Sequence, residues 1–165
     1  HQAINLAFQP GTFQMNFGLE NLKSIYELSK VFICNLQEAQ RILKTDIKIP
    51  LELMKMMRSK GPKIVVITDG PRGAYAYDGA SAWFMPPYPD LKPPFERTGA
   101  GDAFSSTFVA ALAMDKTIEQ SLMMAPINSM SVVQKIGARD GLLTLPEIEK
   151  YLKEAPEDYK LKKIA

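Results

Sequence analysis

The sequence predicts an α/β fold with a mostly parallel sheet and helices on both of its faces. Short apolar segments rich in β-branched residues alternate with longer segments in which apolar residues recur every three or four positions. Residues 63–68 read Lys-Ile-Val-Val-Ile-Thr, which is typical of a strand buried on both faces. Gly and Pro pairs separate the segments, as at Pro10-Gly11 and Gly61-Pro62. We therefore expect a three-layer α/β/α arrangement with the sheet in the middle.

Six elements are predicted in the first part of the chain. The pattern favours strands over residues 3–8, 31–34 and 63–68 and helices over residues 19–29, 37–44 and 51–60. The prediction of the first helix depends on one apolar stripe, formed by Leu19, Leu22, Ile25, Tyr26 and Leu28. The first strand is expected to stop at Pro10-Gly11.

The pattern changes after residue 72. Residues 73–77 and 82–85 flank Asp78-Gly79, which predicts a β-hairpin. Prolines cluster between residues 86 and 94 and indicate an extended loop rather than a linker between domains. Helices are predicted over residues 103–114, 117–135 and 146–153, the second of them bent near Pro126. The Lys-rich tail is predicted to be solvated.

Length and composition limit the classes of protein that fit. The 165 residues suit a single α/β region, taken here as residues 1–165. The chain reaches its first predicted core strand almost at once and lacks an initiator Met, so we expect the beginning of a larger protein to be missing. The formal net charge is +2 with basic and acidic residues interleaved, which argues against a nucleic-acid partner.

Two further observations concern the environment of the protein. No apolar run reaches the ~20 residues that a membrane span needs, so we expect no membrane association. Cys34 is the single cysteine, which excludes an internal disulfide and a multi-cysteine metal site. This cysteine usage fits a reducing compartment, and we expect a cytoplasmic protein.

The segment Thr98-Gly99-Ala100-Gly101-Asp102-Ala103-Phe104 carries the strongest chemical signal. It places two glycines and an acid before a helix, whose free N–H groups and dipole favour a bound phosphate. Those N–H groups would stabilise charge on a transferred phosphoryl group, and Asp102 would accept a proton from an attacking hydroxyl. A helix start with a capping acid explains the spacing as well. Neither a Walker A loop nor the dinucleotide fingerprint fits, because Gly-Lys-Ser/Thr and the third glycine are absent.

Two weaker patterns follow predicted strands. Thr68-Asp69-Gly70-Pro71-Arg72-Gly73 indicates a tight turn or a nucleotide phosphate loop, in which the Thr68 hydroxyl and the glycine backbone approach the ligand. Asn35-Leu36-Gln37-Glu38 indicates a capping box, or a site where Glu38 arranges Mg²⁺ waters and Asn35 lies near nucleotide phosphates. Ligands of parallel α/β sheets bind at the carboxyl ends of strands, so both patterns are expected at one edge of the sheet.

Together and in order, Asn-x-x-Glu, Thr-x-Gly-x-x-Gly and Thr-Gly-Ala-Gly-Asp resemble the carboxyl-terminal half of the ribokinase-like carbohydrate kinases. This phosphofructokinase B type family also contains adenosine and other nucleoside kinases. The resemblance runs from about residue 3 to residue 145. It implies a ribokinase-like, Rossmann-like fold and ATP-dependent phosphoryl transfer to a sugar hydroxyl, with a nucleoside as the alternative acceptor.

The resemblance also implies roles by position. Asp102 resembles the catalytic base, and Gly99, Ala100 and Gly101 resemble the anion hole. ATP and Mg²⁺ are the implied cofactors, and the segment over residues 128–141 resembles the wall of the adenine pocket. The positions assigned to the nucleotide are Asn35, Glu38 (acting on Mg²⁺ through water), Thr68, Gly70, Gly73, Thr98 and Asn128.

The sequence departs from the family pattern at several positions. Many members place a monovalent cation such as K⁺ near an acid at the position of Glu96, which is longer than the usual Asp. Gly141 stands where a serine often binds the same ion, and Gln9 replaces a frequent Asn before Pro-Gly.

Family members are roughly twice as long as this chain. The missing amino-terminal half is expected to carry most contacts to the sugar or nucleoside, together with a β-sheet lid that could form a homodimer. A third interpretation is therefore that the isolated chain is an inactive nucleotide-binding fragment.

Overall fold

The computed structural model describes residues 4–90, 92–137 and 139–165. Ala3 and Ala138, which belong to the predicted first strand and adenine wall, lie outside these ranges. The strands are β1 Leu6–Phe8, β2 Ser29–Asn35, β3 Ile64–Thr68, β4 Ala74–Tyr77, β5 Ala82–Met85 and β6 Lys162–Lys163. The helices are α1 Thr12–Phe17, α2 Lys23–Leu28, α3 Leu36–Leu43, α4 Pro50–Arg58, α5 Ala100–Ala113, α6 Ile118–Val132 and α7 Leu145–Lys153.

The six strands form one mixed sheet in which they follow their order in the sequence. Strands β1, β2 and β3 are parallel neighbours, and Asn35 at the end of β2 lies opposite Thr68 at the end of β3. The turn after β4 is closed by Asp78, whose carboxylate accepts the N–H groups of Ala80 and Ser81. The predicted α/β fold is confirmed, including both strands of the predicted hairpin.

Several local features differ from the sequence-based expectation. The helix predicted over residues 19–29 is shorter, Lys23–Leu28, because Ser29 already belongs to β2, and the helix predicted over residues 117–135 ends at Val132. Helix α5 begins at Ala100 instead of residue 103, because Gly99 takes a left-handed conformation and its carbonyl accepts the Ala103 N–H at 2.8 Å. Helix α1 was not predicted; its Phe13 and Phe17 stack one turn apart, and Gly18 follows it at φ +92°. The lysines of β6 are exposed, as expected of the tail, but they form a short strand that was not predicted.

Contacts within the chain fall into two compact units. Unit 1 holds residues 4–69, 75–83 and 163–165, and unit 2 holds residues 70–74 and 84–162. Whether the chain is a single domain stays a prediction. In the described ranges no helix combines the length and the apolar character that crossing a membrane requires.

The core of unit 1 lies between its parallel strands and helices α2, α3 and α4. Phe32 contacts Tyr26 and Phe8, with ring centroids 5.3 and 6.0 Å away. The other buried members of this cluster are Leu22, Cys34, Ala39, Ile42, Leu53, Met54, Met57, Val65, Ile67 and Ala82. Met54 and Met57 of α4 therefore serve core packing, as the sequence suggested for the helical methionines.

The core of unit 2 is the interface between α5 and α6. Phe108 and Leu122 are fully buried there, and α7 packs against α6. Pro126 lies inside α6 without ending it; a bend at this proline stays a prediction. Tyr159 fixes the chain after α7 by donating to the carbonyl oxygen of Met123 at 2.6 Å.

The buried Tyr26 phenol predicts that stability falls at alkaline pH. Burial, and then the neighbouring Cys34, raise its pKa from 10.0 to about 12. The folded state therefore holds this proton more tightly than the unfolded chain. The contribution of the protonated phenol to the free energy of unfolding is complete below pH 10 and is lost as the pH rises through about 12. Tyr26→Phe should reduce the slope of unfolding free energy against pH in this window by about 1.4 kcal/mol per pH unit. Denaturant unfolding at several alkaline pH values measures the slope, and an unchanged slope would contradict the assignment.

Candidate functional site

The carboxyl edge of the parallel strands in unit 1 carries two of the predicted residues. Asn35 ends β2, Thr68 ends β3, and the two residues are direct partners in the strand register. The expectation that they share one edge of the sheet is confirmed. Asn35 is exposed and Thr68 is half-buried, so this edge is open to a ligand.

Asn35 and Glu38 form a reciprocal capping box at the start of α3. The Asn35 Oδ1 accepts the Glu38 N–H at 2.8 Å, and the Glu38 Oε2 accepts the Asn35 N–H at 2.8 Å. The structural interpretation of Asn-x-x-Glu is thus realised, and the box holds the Glu38 carboxylate beside the positive end of α3. Roles toward a nucleotide or Mg²⁺ stay predictions.

Cys34 precedes this capping box, and its thiol is buried and unreactive. Burial, and then the charge of Glu38, raise the pKa of its thiol well above the ordinary value. The thiol therefore stays protonated at neutral pH, so Cys34 acts as a small core residue rather than as a nucleophile.

Gly70 and Gly73 belong to unit 2 and delimit a single 3-10 turn, Gly70–Arg72. Both have positive φ, +53° and +107°, and the Gly73 N–H donates to the Gly70 carbonyl at 3.2 Å. A Cβ on Gly73 would lie 2.4 Å from the Met85 carbonyl oxygen, whereas a Cβ on Gly70 would meet nothing within 4 Å. Packing against β5 is therefore enough by itself to require glycine at position 73, whereas the space beside Gly70 is open.

Helix α5 begins without a side-chain cap. Its N-cap is Gly99, with φ +81° and ψ −8°, and glycine has no side chain to accept a hydrogen bond. Helices α3 and α6 are capped differently, since Asn35 and Thr117 accept the N–H of the third helical residue. The N–H group of Gly101 stands in the first turn, where the helix itself supplies no carbonyl acceptor. This start can receive an anion from outside the helix.

Asp102 stands in that first turn and is exposed. A Cβ on Gly101 would meet nothing within 4 Å, so the surface beside Asp102 is open. Thr98, also exposed, lies in the turn that leads into the helix, where the Ala100 N–H donates to the Arg97 carbonyl at 3.3 Å. An acid, an exposed hydroxyl and first-turn N–H groups are thus gathered at one end of α5.

Asn128 is buried in α6 and is only 5% exposed. Its Nδ2 donates to the Thr107 Oγ1 at 2.8 Å, and its Oδ1 accepts the Leu143 N–H at 2.9 Å. These bonds tie α5, α6 and the segment before α7 together. The structure thereby gives Asn128 a structural role, and its contact with a nucleotide stays a prediction.

Glu96 lies half-buried in the loop before α5. Its Oε1 accepts the N–H of Gly137 at 3.0 Å, and Gly137 has φ +92°. The sequence did not suggest this partner, because the two residues are far apart in the chain. In the described ranges no group of three or more His, Cys, Asp and Glu side chains is arranged to hold a metal ion.

Comparisons with known proteins add to this geometry. Residues 2–145 match the model of the pfkB family carbohydrate kinases. An uncharacterized sugar kinase of Archaeoglobus fulgidus is 27% identical over 138 residues, which are 84% of this chain and 53% of that protein. A cytidine kinase of Thermococcus kodakarensis is 30% identical over 112 residues, which are 67% of this chain and 40% of that protein.

A solved structure agrees with the fold. The ribokinase of Arabidopsis thaliana, complexed with ribose and ATP, superposes with a TM-score of 0.80 at 21% identity. The match covers 91% of this chain and 48% of that one, and it shows the fold alone. The chain spans about half the length, or less, of the curated relatives it matches: 53% of the sugar kinase and 40% of the cytidine kinase.

Proposed function

Because the chain belongs to the pfkB family of carbohydrate kinases, we propose that the protein transfers the γ-phosphoryl group of ATP to a hydroxyl of a sugar. The observation that carries this proposal is the start of α5, where uncapped N–H groups and the Asp102 carboxylate share one open surface. The chain spans about half the length of the curated relatives it matches, or less, so this activity is proposed for the whole protein.

The first turn of α5 supplies both chemical functions that the transfer needs. The Asp102 carboxylate accepts the proton of the attacking hydroxyl, which raises the nucleophilicity of its oxygen. The backbone N–H groups of Gly99, Ala100 and Gly101 stabilise the negative charge that spreads over the transferred group; for Ala100 the anion would replace the Arg97 carbonyl, which its N–H contacts at 3.3 Å. The Gly101 N–H is held by the helix backbone, so it needs no reorganisation during the reaction.

The remaining predicted residues are assigned to the nucleotide. In unit 1 these are Asn35, Glu38 and Thr68, which lie at a strand end or in the helix turn that follows one. In unit 2 they are Gly70, Gly73, Thr98 and Asn128. A carboxylate at an open sheet edge fits Mg²⁺, which keeps most of its waters and needs few protein ligands. When bound, Mg²⁺ neutralises phosphate charge; Glu38 would hold it through water.

Glu96 is the candidate ligand for a monovalent cation. A carboxylate oxygen suits K⁺, although Oε1 already accepts the Gly137 N–H. Turnover in KCl and in tetramethylammonium chloride tests the assignment. Activation by K⁺ that Glu96→Gln removes would support the site, and equal turnover in both salts would contradict it.

Gly101 and Gly73 offer a pair of substitutions that separate function from packing. Gly101→Ala adds a methyl to open space at the proposed phosphate position, so kcat should fall on the order of 10²-fold. The free energy of unfolding should change by no more than about 1 kcal/mol. In Gly73→Ala the added methyl meets the Met85 carbonyl oxygen, so the free energy of unfolding should fall by about 2 kcal/mol or more. Steady-state kinetics and urea unfolding measure both effects; a Gly101→Ala protein with normal kcat would contradict the anion-hole assignment.

A nucleoside is the second candidate acceptor, favoured by the 30% identity to a cytidine kinase. ADP formation by the full-length protein with a panel of sugars and nucleosides distinguishes the two classes. Turnover with a sugar supports the leading proposal, and turnover with nucleosides alone supports the second. The absence of ADP formation with every acceptor would overturn both. Sugar phosphorylation by the 165-residue chain alone would refute the interpretation of an inactive fragment.

A further inference from the structure

Two serine hydroxyls bind consecutive carbonyl groups in the first turn of α5. Ser129, on helix α6, donates from Oγ to the Ala100 carbonyl oxygen at 2.7 Å. Ser105, one turn further along α5, donates from Oγ to the Gly101 carbonyl oxygen at 2.9 Å. No pattern in the sequence points to either serine, because serines are common in helices and are usually solvated or bonded to their own helix.

These carbonyls belong to the peptide units that carry the N–H groups of Gly101 and Asp102, and Gly101 is part of the proposed anion hole. The Ala100 carbonyl and the Gly101 N–H lie on one planar peptide, and the Gly101 carbonyl and the Asp102 N–H lie on the next. A hydrogen bond that fixes the oxygen of a planar peptide also fixes the direction of its N–H. It also polarises the peptide, so that the N–H becomes a stronger donor.

We propose that Ser129 is a positioning residue of the anion hole, acting through the Ala100–Gly101 peptide; this inference rests on the proposed function. Ser129 orients and polarises the Gly101 N–H without touching substrate. Ser105 acts in the same way on the Gly101–Asp102 peptide, from within the helix.

Further bonds connect the loop before α5 to the end of α6 and the turn that follows. The Phe95 N–H donates to the Val133 carbonyl at 2.8 Å, and the Gln134 Nε2 donates to the Lys92 carbonyl at 2.9 Å. Together with the bond from Gly137 to Glu96, they hold the approach to the helix independently of Ser129. Loss of the Ser129 hydroxyl should therefore leave the fold intact and disturb only the peptide it contacts.

The test uses Ser129→Ala in the full-length protein, with Ser131→Ala on the same helix as the matched control. Ser129→Ala should lower kcat on the order of tenfold and leave the KM for ATP unchanged, since removal of a whole oxyanion donor costs about 10²–10³-fold. Ser129→Thr retains the hydroxyl and should restore most of kcat. Because a less polarised N–H is less acidic, base-catalysed amide hydrogen exchange of Gly101 should slow in Ser129→Ala and not in Ser131→Ala.

The outcomes separate this inference from the proposed function. Normal kcat in Ser129→Ala, in a protein whose kinase activity depends on Asp102, would overturn the inference and leave the function standing. Equal losses in Ser129→Ala and Ser131→Ala, or no rescue by Thr, would also overturn it, because they indicate a general packing effect. A full-length protein without kinase activity would overturn the function and this inference with it.

Discussion

Replacing Asp102 with Asn is expected to lower kcat of the full-length protein by about 10³-fold, within the range that general base catalysis contributes. Asn has the shape of Asp but cannot accept the proton of the attacking hydroxyl. The residue lies in the first turn of α5, exposed, and is not part of the buried core. ATP binding, measured by calorimetry, should therefore persist while turnover is lost.

Asp115→Asn provides the matched control for this substitution. Asp115 follows the other end of α5, is exposed, and has φ +58°, a conformation that Asn adopts as readily as Asp. We expect normal turnover from this variant. If the Asp102→Asn variant has the same kcat as the unsubstituted protein, Asp102 is excluded as the base.

Phe32→Ala should have the largest effect on stability. Phe32 is fully buried in β2 and contacts two other rings of the unit 1 core. Its removal exposes no polar group but leaves a cavity, so the free energy of unfolding should fall by about 3–5 kcal/mol. Urea unfolding of the 165-residue chain measures this loss.

Phe13→Ala is the control with the same change in side chain. Phe13 is 75% exposed on α1 and stacks on Phe17, so its removal should cost less than about 1 kcal/mol. Comparable losses for the two variants would show that Phe32 does not lie in a well-packed core.

The fold was largely predictable because its signals are local. Residues 64–67 of β3 are apolar and β-branched, and burial of both faces selects such residues at every position. The boundary of α5 was less predictable, since the apolar run begins at Ala103 while the helix begins at Ala100. The backbone conformation of Gly99 decides that boundary, and hydrophobic periodicity does not report it.

The candidate site was predictable in part. Asn35 and Glu38 were recognised through their spacing, which equally encodes the capping box that the structure contains. Asn128 was also singled out, but its burial and its bonds to Thr107 and Leu143 depend on helix packing. Ser129 was missed entirely, because the carbonyl it binds is 29 residues away.

The sequence by itself determined the family, the alternation of strands and helices, and the acid and glycines at the start of α5. Such features depend on the local sequence, since capping, turn formation and periodic burial involve residues only a few positions apart. Only the tertiary structure decided that α6 supports this helix start through Ser129, that Glu96 accepts the Gly137 N–H, and that Gly73 is required by β5. Hydrogen bonds and steric contacts between distant segments depend on packing in space, so no local pattern specifies them.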